Sequence, residues 1–211
     1  MTLVKFPSID QFRNVIHHVK KHAQYAGKDE NGDAIIDHSK PIPTLSFKGT
    51  SKCHGTNAGI IVTDKTIQYQ SRERILSLEH DNSNFMLYMM NHESVSGNIY
   101  NQAKKLAKDV YNMDVDKVAI FGEWCGQGIQ KGVAITELPK MFVIFAVKVI
   151  NEEEAHWLDL TQLNLFFNDH SIYDINLFGS WTLDINFNYP ELAQQKLIEI
   201  TEQVENECPV G

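Results

Sequence analysis

The chain has 211 residues, room for one substantial domain or two small ones, and is 43% hydrophobic, enough to build a core. Its formal net charge of -8 argues against a general nucleic-acid coat. The charge is uneven, however: residues 1–150 hold 18 Lys and Arg against 15 Asp and Glu, whereas residues 151–211 hold 1 against 12, so a local basic groove fits in the first part. No stretch approaches the length that crosses a bilayer, and MTLVKFPSIDQF has acidic and polar residues too early for a secretory signal. Cys53, Cys125 and Cys208 are widely separated and form no CxxC pair. They suggest no disulfide framework and an intracellular, cytoplasmic setting.

From the N-terminus, Pro7-Ser8 reads as a helix start. Ile9, Phe12, Ile16, Val19 and Ala23 recur behind it at helical spacing, with Gly27 as the stop. DENGDAIIDHSKPIP has an Asn-Gly turn signal and two prolines, so it reads as a loop or hairpin. TLSFKG and AGIIV then read as two extended runs, and a turn between them would let them pair. That turn is the polar stretch Ser51-Lys52-Cys53-His54-Gly55-Thr56-Asn57.

Asp64-Lys65 turns a second hairpin, from Ile60-Ile61-Val62 into Ile67-Gln68-Tyr69-Gln70, and delivers Arg72 and Arg74 beside the first. HDNSNFMLYMMNHES reads as a helix capped near Asn82 or Ser83, and residues 98–110 as another with Lys104, Lys105 and Lys108 exposed. Residues 117–122 form a buried-looking strand that runs into the glycine-rich turn GEWCGQG, with one carboxylate, Glu123. Residues 141–148 are the most hydrophobic strand. EEEAHWLDLTQL reads as a short helix, residues 181–187 as a strand, and Pro190 opens a last helix with Leu192, Leu197, Ile200 and Val204 inward. There is no internal repeat.

Chemistry concentrates at strand ends. Lysine is a poor nucleophile while protonated, but in a pocket that lowers its pKa it can carry a covalent intermediate. Gly55 would let the backbone approach a ligand closely. Read alone, Lys52 is more simply a surface lysine beside a hairpin turn. With Arg72 and Glu123 it makes a nucleophile, a cationic clamp and a carboxylate, followed by an aromatic-rich strand.

In that combination the sequence resembles the covalent nucleotidyltransferases, specifically the ATP-dependent RNA ligase 2 family. KCHGTN is similar to the family's lysine motif KxHG, and the histidine favours RNA ligases over DNA ligases and capping enzymes, which more often show KxDG. SRERI, FGEWCG and FVIFAVK resemble the following motifs in order, over roughly residues 48–148.

The resemblance implies an α+β nucleotidyltransferase fold (an ATP-grasp-like or DNA-ligase-type adenylation domain), with antiparallel sheets and peripheral helices. It implies that Lys52 takes AMP from ATP and that Asn57 and Arg72 contact phosphate or ribose. Glu123 would hold the ribose hydroxyls or organise the site, and His54 would assist later phosphoryl chemistry. Phe145 would stack on adenine, or Phe142 if the strand register is slipped. Mg²⁺ is the implied metal, with ligands unassigned. RNA is the implied partner, as a nicked duplex or broken ends in repair.

The sequence departs from the family pattern. Ala146 stands where an acidic residue is general, and Ser51 where Glu is frequent. No EG-(V/I/L)-V strand and no Lys-x-Lys strand occur, and ECPVG resembles the segment that leads into them. Residues 1–211 are therefore expected to be a partial adenylyltransferase domain lacking its last strands, weak or inactive alone. Two further readings remain: a nucleotide-binding or regulatory module without ligation, and a polynucleotide-binding domain that kept only the fold.

Overall fold

A computed structural model describes residues 2–207, and the expected role of ECPVG falls largely outside them, at residues 208–211. The chain order is α1 Phe12–Ala23, β1 Tyr25–Lys28, β2 Ala34–Ile36, β3 Thr44–Thr50, β4 Gly55–Thr63, β5 Ile67–Ser71, α2 Phe85–Met90 and α3 Glu93–Tyr111. It continues with β6 Lys117–Cys125, β7 Met141–Ile150, β8 Ala155–Trp157, β9 Ile172–Asp174, β10 Ser180–Asn186 and α4 Ala193–Asn206. These elements fall into two units, residues 2–6 with 52–178 and residues 7–51 with 179–207.

The first unit is built on a six-stranded sheet in the order β5-β4-β6-β7-β8, antiparallel throughout, with β9 parallel to β7 off that path. The β4–β5 hairpin turns at Asp64-Lys65 as expected, where the Thr63 hydroxyl accepts the Lys65 and Thr66 N–H groups. Alternation along β4 and β6 sends Ile60, Val62, Val118, Ile120 and Trp124 to one face, buried beneath α2 and α3. The other face carries Ile61, Ala119 and Phe121, packed with Val4 and Phe6 of the N-terminal segment. The Gln70 amide holds that segment, donating to the Val4 carbonyl at 2.6 Å and accepting the Val4 N–H at 3.1 Å. Both helices α2 and α3 were legible; α3 runs longer than expected, starting at Glu93.

In the second unit β3 pairs along its whole length with β10, antiparallel. Ile185 and Phe187 meet Phe12, Val15, Ile16 and Val19 of α1 in a separate small core. A short β1–β2 hairpin, with its turn closed by the Asp29 carboxylate, fills the expected loop.

Four expectations are corrected. TLSFKG does not pair with AGIIV: both edges of β4 are taken by β5 and β6, and β3 finds β10 instead. EEEAHWLDLTQL is not a helix; the free edge of β7 recruits Ala155–Trp157 as a strand, and a single 3-10 turn follows. The first helix begins at Phe12, leaving Ile9 85% exposed. On the last helix, Leu192 and Leu197 are exposed rather than inward. Among the described residues, no helix is long and apolar enough to cross a membrane.

Candidate active site

Lys52, Cys53 and His54 stand just ahead of β4, where no ladder holds them, and the Lys52 and His54 side chains are exposed. The first ladder residue, Gly55, lies opposite Cys125 at the end of β6. Its peptide is gripped on both sides. The Glu123 carboxylate accepts the Gly55 N–H at 3.1 Å, and the Gln130 amide donates to the Gly55 carbonyl at 2.8 Å. Gly55 is required here because a Cβ would sit 2.3 Å from the Trp124 carbonyl oxygen and 2.6 Å from the Cys125 Cβ.

Glu123 lies within the strand rather than in the turn after it, because β6 continues to Cys125. It faces Asn57 across the ladder, so both half-buried side chains project from the same face of the sheet. Burial pushes the Glu123 carboxyl above its ordinary pKa, and the Gly55 N–H and the charges of Lys52 and Arg72 pull it back down. Lys52 and Arg72, twenty residues apart in sequence, thus bear electrostatically on one carboxylate. Arg72 extends from the end of β5 with its side chain 65% exposed, its Nε 3.9 Å from Glu73.

Asn82 supports β4 from behind. Its amide donates to the Thr56 hydroxyl at 3.1 Å and to the Asn57 carbonyl at 3.3 Å. Asp81, next to it, accepts the Met86 and Leu87 N–H groups at the start of α2. The loop after β6 turns through Gly126 at φ +110, where a Cβ would meet the Pro139 carbonyl oxygen at 2.4 Å. This turn brings Gln130 back to Gly55.

The two candidate stacking aromatics separate cleanly. Phe142 is fully buried on the α3 side, its ring 4.9 Å from that of Phe85, so it is core. Phe145 sits at the irregularity where the register of β7 shifts against Phe121 and Gly122, and it is half-buried. Its ring meets Phe6 edge-on at 5.0 Å, in a cluster with Phe121 and Trp157 on the face that Glu123 shares. Among the described residues, no three His, Cys, Asp or Glu side chains converge as a metal cage.

A family model for RNA ligases matches residues 46–206. The chain belongs to the RNA ligase family. A search of curated proteins finds no match. The matched span of this RNA ligase includes Lys52, His54, Asn57, Arg72, Glu123 and Phe145. It makes RNA the substrate and end-joining the activity.

Sequence reasoning missed Gln130 and Phe6, and it read Asn82 as a helix cap, whereas Asn82 bonds to β4 and Asp81 accepts the helix N–H groups. Gln130 and Gly55 are 75 residues apart, and nothing local in GQGIQKG announces their contact. For Phe6, the nearest signal was an apolar residue beside PSI in a polar N-terminus.

Proposed function

We propose that this RNA ligase is ATP-dependent, of the RNA ligase 2 type, on a nucleotidyltransferase fold, and works through lysyl-AMP and RNA-adenylate intermediates. The observation that carries the reading is the half-buried Glu123, whose carboxylate fixes the Gly55 peptide and feels the charges of Lys52 and Arg72. A nucleophile must be held in line with the reacting phosphorus, and a hydrogen-bonded backbone beside it reduces the ordering left to do.

In this reading the Lys52 amine attacks the α-phosphorus of ATP and pyrophosphate leaves. AMP then passes from Lys52 to the RNA 5′-phosphate. A 3′-hydroxyl attacks that activated phosphate and AMP is expelled. Arg72 offers charge to the phosphate oxygens, and Asn57 and Glu123 offer hydrogen bonds to the ribose. Phe145, the half-buried aromatic, stacks on adenine while Phe142 stays in the core. His54, exposed beside Lys52, serves the later phosphoryl steps.

The donor set suits Mg²⁺ held chiefly by nucleotide phosphates and water, with Glu123 as the carboxylate beside Lys52. When bound, the ion supplies positive charge to the phosphate oxygens. Recognition of RNA over DNA rests on the 2′-hydroxyl of the strand that ends in the 3′-hydroxyl.

The test is incubation with ATP labelled on the α-phosphate, with Lys52→Ala as control, followed by a chase with matched nicked duplexes. A Lys52-dependent adduct that moves to RNA is expected. Binding of ATP with no adduct favours a nucleotide-binding module. Equal sealing of RNA and DNA nicks removes the RNA preference.

A further inference from the structure

Cys53 and Cys125 are 72 positions apart in sequence, yet both stand at the Gly55 end of the β4–β6 pair. Cys125 is the direct partner of Gly55, and Cys53 precedes Gly55 by two residues. A straight continuation of β4 would carry Cys53 away from Cys125. The ladder starts only at Gly55, so strand pairing does not set the course of Cys53, which turns onto the core cluster instead. Cys53 packs against the core cluster that contains Cys125, close enough that each thiol perturbs the other's ionisation, while the Cys125 thiol donates to the Met141 carbonyl at 3.8 Å. Both are reduced.

We propose that Cys53 and Cys125 form a reversible disulfide under a hydroperoxide oxidant, and that the cross-link switches off the neighbouring Lys52. The switching half of this inference rests on the ligase reading above; the disulfide half does not.

The two sulfurs are unequal in a way that suits the chemistry. Cys53 is half-exposed, and the neighbouring Cys125 side chain holds its thiol below the ordinary value. Cys125 is fully buried, and the Cys53 side chain beside it together with burial pushes its thiol up. Cys53 is therefore the sulfur that meets the oxidant. Its thiolate attacks one peroxide oxygen, the O–O bond breaks, and hydroxide leaves to take up the proton that Cys53 lost. The Cys53 sulfenic acid is then attacked by the Cys125 sulfur. The S–S bond forms, the S–O bond breaks, and hydroxide departs with the Cys125 proton as a second water. Two thiols lose two electrons in all, and one peroxide becomes two waters.

Cys125 is anchored, buried and paired in the β-ladder, so the less constrained partner must move. That partner is bonded directly to Lys52. A displacement of about 1 Å at a reacting group costs on the order of 100-fold in rate.

The test uses the chain with Cys208→Ser, so that only the pair remains. Hydrogen peroxide treatment, alkylation of residual thiols and peptide mapping without reductant should give a Cys53–Cys125 cross-linked peptide. Labelling of Lys52 by ATP should fall about 100-fold and return with dithiothreitol. Cys53→Val should label normally and ignore peroxide. Absence of the cross-linked peptide overturns the disulfide. A cross-linked protein that labels at the reduced rate overturns the switch. A reduced protein that takes no label overturns the ligase reading and with it the switch, while the mapping still decides the disulfide.

Discussion

Gly55→Ala tests the arrangement of the Lys52 segment most directly. The added Cβ would lie 2.3 Å from the Trp124 carbonyl oxygen and 2.6 Å from the Cys125 Cβ, whereas ordinary contact begins at 3.4 Å. One neighbour is backbone and the other a buried core residue, so neither can swing aside. Strands β4 and β6 must part by about 1 Å at this point, by difference from ordinary contact. That movement stretches the 3.1 Å bond from the Gly55 N–H to Glu123. Overpacking costs about 1–3 kcal/mol, and a hydrogen bond to a charged group about 1.5–3 kcal/mol. Because the two losses share one displacement, about 2–4 kcal/mol is expected. In a chain of this size that lowers Tm by about 4–16 °C.

Lys52 labelling by ATP should fall further than stability does, on the order of 100-fold, because the lysine moves with the strand end. Gly97→Ala is the matched control. It lies within α3 with nothing within 4 Å of its new Cβ, so it should be neutral or stabilising by up to about 1 kcal/mol. Thermal unfolding and adenylylation rate are read for both. A Gly55→Ala protein with the parent Tm and labelling rate would refute the close approach of β6 and the role assigned to it.

Gln130→Ala removes the donor to the Gly55 carbonyl and should cost about 1 kcal/mol, slowing Lys52 labelling several-fold with little change in the KM for ATP; an unchanged rate would mean that Glu123 alone holds this peptide. Phe142→Ala should destabilise by about 3–5 kcal/mol in thermal unfolding. Phe145→Ala should cost less stability but about 1–3 kcal/mol of ATP affinity, and equal ATP binding by Phe145→Ala and the parent would discard the stacking role. Glu123 has a folded pKa above its ordinary 4.5, so the folded state binds more protons than the unfolded one just above that value. Stability should therefore fall as pH rises from 4.5 through the folded pKa, and Glu123→Gln should flatten that slope in unfolding curves across pH 4–8, a range of about 4 units. A parallel slope in the variant would assign the pH dependence elsewhere.

The sequence alone determined what periodicity and local chemistry can specify. The β4–β5 hairpin follows from alternation on both sides of Asp64-Lys65, and the strands β6 and β7 follow from their apolar runs. The order KCHGTN, SRER, FGEWCG, FVIFAVK placed the candidate residues near strand ends before any partner was known.

Which strand pairs with which was decided by the tertiary structure. Two adjacent extended segments, 44–50 and 55–63, look like a hairpin locally, but β4 satisfies its backbone with β5 and β6 and leaves β3 to β10. The acidic run 152–163 has helical composition, yet the open edge of β7 offers hydrogen bonds that a short helix there could not match by propensity alone. Phe142 and Phe145 are three residues apart on one strand, so alternation puts them on opposite faces, but only the tertiary structure shows that Phe142 meets Phe85 in the core and Phe145 meets Phe6 on the other face. Gln130 and Cys125 reach Gly55 from 75 and 70 residues away, through contacts set by chain closure. A sequence pattern reports which face a side chain prefers; what lies opposite that face depends on strand pairing between distant segments, which periodicity does not encode.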